Sequence, residues 1–117
     1  MDVLLVPSSL NGSGGDRNQY LSSYLINDVL VVDAGCIGWY QTPREQERIQ
    51  HVLISHSHID HLAALPIFLE NAFTNRPECV TVHGNEAVLE CLVRDIFNER
   101  VWPDFIGLSR AVVVPSP

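Results

Sequence analysis

The segment Ser55-His56-Ser57-His58-Ile59-Asp60-His61 follows directly on the apolar run Val52-Leu53-Ile54. Three of the chain's five histidines and one aspartate stand inside it. Imidazole nitrogen and carboxylate oxygen are the donors that zinc, iron and manganese accept. Extended backbone sends alternate side chains to one face, so His56, His58 and Asp60 are expected to converge, while His61 breaks the alternation and points elsewhere. One segment then serves two neighbouring metals, His56 and His58 the first, Asp60 and His61 the second. Two ions about 3.5–4 Å apart can clamp both oxygens of an in-line displacement at phosphorus, so the chemistry expected is hydrolysis. A polar loop, or a histidine-rich tract that meets metal by chance, is the plainer alternative.

At 117 residues the chain has the length of one small domain, and 46% hydrophobic content is ordinary for a globular core. The net charge of −7, with seven arginines and no lysine, argues against binding a polyanionic duplex by counterion release. No nucleic-acid polymer is expected as a partner. A small anionic substrate stays compatible with this charge, because bound dications invert the local field. Cys36, Cys79 and Cys91 form no C-x-x-C pair and leave one over in any disulfide scheme. They read as buried small hydrophobes in a reducing cytoplasm. Met1-Asp2 opens without a basic region or a long apolar run, and no stretch approaches a membrane span, so a soluble, unexported chain is expected. The sequon Asn11-Gly12-Ser13 has no meaning in that setting.

In chain order, Val3-Leu4-Leu5-Val6 before Pro7 predicts a buried strand. Gly12-Ser13-Gly14-Gly15 looks like a phosphate loop but lacks the following lysine, which leaves a plain flexible loop or, as the lesser alternative, a glycine-rich turn at the rim of a site. Tyr20 to Ile26 and Val29 to Val32, separated by Asn27-Asp28, predict a hairpin that ends at Asp33-Ala34-Gly35. Thr42-Pro43-Arg44-Glu45 is a capping box with proline at the first helical position, and the helix is expected to run to Gln50. His51 to Ser55 then forms a buried strand that delivers the histidine loop at its C-terminal end, where sites collect in layered α/β folds. His51 lies outside the ligand set as a strand-edge or second-layer histidine. Leu62, Leu65, Phe68, Leu69 and Phe73 recur at helical intervals, with Pro66 inside the pattern. Val80 to Gly84 is the next strand, and His83 reads as a structural strand-end histidine. Asn85 caps a helix from Glu86 to about Phe97, with Val88, Leu89, Leu92, Val93 and Ile96 as its buried stripe. Trp102 and Phe105, around Pro103, form a pocket wall or, the plainer reading, cover the core edge, and Ala111 to Val114 is a last strand.

The pattern His56-x-His58-x-Asp60-His61 after an apolar strand resembles the metal-binding motif of the metallo-β-lactamase fold superfamily. The longer run His56-Ser57-His58-Ile59-Asp60-His61-Leu62-Ala63-Ala64-Leu65-Pro66 is similar to the signature of the class II cyclic-nucleotide phosphodiesterases. Leu21-Ser22-Ser23-Tyr24-Leu25-Ile26, leading to Val32-Asp33-Ala34-Gly35, and Phe97-Asn98-Glu99-Arg100-Val101-Trp102-Pro103-Asp104-Phe105 lean the same way. The resemblance implies an α/β fold, half of a four-layered αβ/βα arrangement with a mixed sheet and flanking helices, in which residues 1–117 form the N-terminal half of the domain.

The same resemblance implies two zinc ions, with manganese or iron as alternatives, held by His56, His58, Asp60 and His61. Asp60 also orients the nucleophile, and Asp33 buttresses the loop from behind the ligands. On the residues alone, Asp33 reads equally well as a turn aspartate beside Gly35. The reaction implied is hydrolysis of cAMP or cGMP to the 5′-nucleotide. A third histidine for the first metal, a bridging aspartate and a last histidine for the second are expected beyond Pro117. On that expectation the chain is a fragment, or it completes its site through another chain. Two alternatives stay open: another hydrolase of the superfamily, acting on RNA ends, thioesters, lactones or β-lactams, or a non-catalytic module that pairs with a second copy through an open sheet edge. The acidic charge weighs against RNA, and Trp102-Pro103-Asp104-Phe105 favours the cyclic nucleotide.

Overall fold

The computed structural model describes residues 1–7, 21–72 and 80–115. The expectations for the 12–15 glycine turn, the Asn11 sequon, Tyr20, Phe73, Arg76-Pro77-Glu78 and Cys79 fall outside them. Six strands form one mixed sheet in sequence order: β1 (Val3–Leu5), β2 (Tyr24–Ile26), β3 (Leu30–Val32), β4 (His51–Leu53), β5 (Thr81–Gly84) and β6 (Arg110–Val113). The first three strands are antiparallel neighbours, and β3 to β6 run parallel. Parallel neighbours need crossovers. These carry the helices α1 (Pro43–Gln46), α2 (Ile59–Leu62), α3 (Leu65–Ala72), α4 (Glu86–Cys91) and α5 (Phe105–Leu108).

Local chemistry explains several boundaries. Asn27 and Asp28 both take positive φ, 51° and 62°, the geometry of the two-residue turn whose twist matches a hairpin. Thr42 Oγ1 accepts from the Glu45 amide with Pro43 next in line, and Asn85 Oδ1 accepts from the Val88 amide. Each cap satisfies an amide that the first helical turn leaves without a partner.

Period-two alternation places the core. Val31, Val52 and Val82 on the central strands are fully buried against Leu65, Phe68 and Leu69 of α3 and Val88 of α4. The opposite face presents Tyr24, Val32, Leu53, His83 and Val112 in register, row by row, and among the described residues no helix covers it. Trp102 and Phe105 pack on the core margin, as expected of core cover.

Four expectations need correction. β1 is not buried: Val3 is 54% and Leu5 61% exposed, because β1 is an edge strand paired only with β2. α1 stops at Gln46, whose side-chain amide is drawn inward to the carbonyls of Gly38 and Tyr40. The helix after His61 is two helices broken at Ala63-Ala64, which puts Pro66 in the first turn of α3, where its missing N–H costs nothing. Val93 leaves the buried stripe and is 49% exposed. From Leu92 to Ile96 the chain winds as a π-helix, whose wider turn shifts the phase of every later side chain.

No helix among the described residues is long and apolar enough to cross a membrane.

Candidate metal centre

The histidine segment leaves the sheet at the C-terminal end of β4, beside the end of β3. His58 is extended (φ −70°, ψ 144°), and Ile59 begins α2. His58 therefore comes from extended backbone, and Asp60 from the first helical turn. Donor atoms of His56, His58 and Asp60 lie within 4.8 Å of one another. The expected convergence of these three is present, although a helix rather than a strand presents the aspartate.

His61 does not point elsewhere. The switch from extended to helical winding at Ile59 turns its ring back onto His56, with centroids 3.8 Å apart. Its Nδ1 lies 2.7 Å from Asp33 Oδ2 and its Nε2 lies 3.2 Å from Asp60 Oδ2.

Asp33 is the hub of this arrangement. It is 5% exposed and its φ is +63°. Its carboxylate accepts from the Ser55 amide (2.7 Å) and from the Ser55 hydroxyl (2.7 Å to Oδ2). A carboxylate only accepts, so it takes the single hydrogen of that hydroxyl. Ser55 Oγ, 3.0 Å from His56 Nδ1, is then left to accept from an Nδ1–H. The hydrogen on His61 Nδ1 points at Asp33 for the same reason. One buried carboxylate thus orients two imidazoles through their Nδ1 atoms, the kind of support that turns Nε2 toward a metal. The Nε2 of His61 faces the Asp60 carboxylate at 3.2 Å, a pair of donors that a cation can bridge. The donor set fits a divalent ion.

Backbone hydrogen bonds set the loop in place. The Ser22 amide donates to Asp60 O, and the Ala34 amide to His61 O, at 2.8 and 2.7 Å. Gly35 is required at this crossing: a Cβ there would stand 2.1 Å from Asp60 O and 2.5 Å from Ser22 N. Ser55 and Gly35 are the two contributors that sequence reasoning missed. The signal available for Gly35 was a glycine two residues after a strand-end aspartate.

A family model for class-II cAMP phosphodiesterases matches residues 20–113, which include every residue of this centre. The chain belongs to that family. Among solved structures, unliganded yeast PDE1 superposes with a TM-score of 0.68 at 10% identity, over 97% of this chain and 50% of that one. The metallo-β-lactamase fold protein YhfI from Bacillus subtilis gives 0.59 at 20% identity, over 97% of this chain and 45% of that one. At such identities the likeness is one of fold. The chain spans about half the length of either neighbour. No curated protein sequence matches it. The α/β architecture with a mixed sheet and flanking helices is therefore that of the metallo-β-lactamase fold.

His51 and His83 stand apart from the cluster, on the open sheet face, with Nδ1 and Nε2 3.1 Å apart. Burial, with the neighbouring His51 ring, holds His83 below the usual imidazole range. Cys36 and Cys91 are free thiols, and burial is the main cause pushing both up from the ordinary thiol range.

Proposed function

We propose that this chain contributes the histidine loop of a metal-dependent phosphodiesterase that hydrolyses 3′,5′-cyclic nucleotides, cAMP or cGMP, to 5′-nucleotides. The observation that carries the reading is the convergence of His56, His58 and Asp60 within 4.8 Å in a chain of this family. In this reading His56 and His58 would hold one zinc ion, and Asp60 and His61 would hold a second. Divalent ions bound there supply Lewis acidity toward phosphoryl oxygens and make water nucleophilic at neutral pH. Asp60 also accepts a hydrogen bond from the attacking water and so orients it. Asp33 binds nothing itself; it keeps His61 directly, and His56 through Ser55, turned toward the ions. A reducing cytoplasmic setting belongs to the same reading, and the free thiols of Cys36 and Cys91, among the described residues, are compatible with it.

The test is hydrolysis of cAMP and cGMP by the zinc-loaded protein, beside His58→Ala. Zinc-dependent turnover that falls at least about a hundredfold in the variant is the expected result. Failure of a protein with stoichiometric zinc and an intact loop to cleave either nucleotide would overturn the proposal.

A further inference from the structure

β1 closes one side of the sheet and pairs only with β2. Its ladder runs from Asp2, whose carbonyl accepts from the Asn27 amide, through Leu4 opposite Leu25, to Val6, whose amide donates to Ser23 O. Backbone groups of a strand point alternately to its two sides. Asp2, Leu4 and Val6 therefore face β2. The N–H and C=O groups of Val3 and Leu5 point away from the sheet, where no group among the described residues pairs with them. These groups lie in the plane of the sheet, so a layer packed on either face meets side chains and leaves them in place.

Monomeric proteins guard such an edge with lysine, proline, a bulge or an inward charge. Between Val3 and Val6 β1 has none of these: its residues are all apolar and its register to β2 is unbroken. Leu4 lies on the helix-bearing side of the sheet beside Leu25. Leu25 is 3% exposed and Leu4 41%, because no strand lies beyond it.

The flanking residues select the partner. A second copy of β1, laid antiparallel about Leu4, sets Val3 opposite Leu5 twice, and every outward N–H of the two segments finds an outward carbonyl. Leu4 meets its counterpart at the closely spaced, non-hydrogen-bonded position. Asp2 falls opposite the other copy's Val6, which keeps the two carboxylates more than about 13 Å apart, beyond the Debye length at physiological salt. Pro7, next in the outward-facing series, has no N–H and ends the ladder. The pairing is two-fold and closed, so it consumes both β1 edges and does not propagate through them.

We propose that β1 is a dimerisation edge, through which two copies of the chain join antiparallel at Val3–Leu5 and their six-stranded sheets become continuous. This edge does not depend on the phosphodiesterase reading.

Hydrogen exchange on the unmutated protein reads the edge directly. Raising the protein concentration is expected to slow the Val3 and Leu5 amides at least about tenfold, in step with the dimer mass found by sedimentation equilibrium. The Leu4 amide, already bonded to β2, should change less. Leu5→Pro removes one outward N–H from each copy and keeps the bonds to β2, a change that an edge strand tolerates. It is expected to weaken association at least about tenfold, since two hydrogen bonds are lost per dimer. A protein that stays monomeric at every concentration overturns the proposal. So does a dimer whose Val3 and Leu5 amides exchange at one rate at every concentration, because pairing then uses another surface, and so does undiminished association of the folded Leu5→Pro protein.

Discussion

Asp33 and His61 lie 28 residues apart in sequence, yet a carboxylate oxygen and a ring nitrogen meet at 2.7 Å. The contact joins the end of β3 to the first turns after β4, and it is one of three hydrogen bonds that the same carboxylate accepts. Asn tolerates the left-handed backbone that Asp33 adopts, so Asp33→Asn isolates the hydrogen bonding. Its amide turns a donor toward a donor. We expect metal affinity at the loop to fall about 10–100-fold and stability to fall by about 1–3 kcal/mol, read by zinc competition with a chromophoric chelator and by urea unfolding.

Gly35→Ala acts on backbone alone. The added methyl would collide with Asp60 O and Ser22 N, neither of which is the end of a flexible side chain. A loss of about 3 kcal/mol or more is expected, visible as a lowered melting temperature, and any folded remainder should bind zinc poorly because Asp60 is displaced.

The hairpin turn offers a gain. Asp28 holds φ at 62°, which glycine adopts without strain, and its ion pair with Arg48 is exposed and 3.9 Å long, of little worth. Asp28→Gly is expected to stabilise the protein by about 0.5 kcal/mol, measured as a higher denaturation midpoint.

The His83 imidazole titrates below its ordinary value of 6.5 because of burial and the His51 ring. The unfolded chain therefore binds the proton first, and folding stability falls as pH drops through 6.5 toward the depressed folded value. Above 6.5 this contribution is fully present. Melting temperatures measured from neutral to mildly acidic pH should decline less steeply in His83→Gln than in the unmutated protein. Parallel curves would show that His83 contributes nothing to the acid sensitivity.

What the sequence disclosed was set by local chemistry. Asn27-Asp28 announced a turn that both residues' positive φ values bear out, and Thr42 and Asn85 announced helix starts because capping is decided by one side chain and one amide. The convergence of His56, His58 and Asp60 was legible from spacing. The place of His61 was not, because the winding changes at Ile59 and a periodicity argument carries across that change unaltered. Val93 was misplaced for a related reason: nothing in Leu92 to Ile96 advertises a π turn. The exposure of β1 depends on its position at the sheet edge, which three apolar residues do not encode. The part played by Ser55 needed a neighbour from 22 residues earlier, Asp33, before its hydroxyl had any meaning.

The stapling of the loop through Ser22 and Ala34 gives it a spectroscopic clock. Those two amides are tied to carbonyls of Asp60 and His61, so they exchange with deuterium only when the histidine turn lifts away from the hairpin. Their exchange rates measure how often the loop opens, and their slowing on addition of zinc would convert loop occupancy into a free energy without any turnover assay.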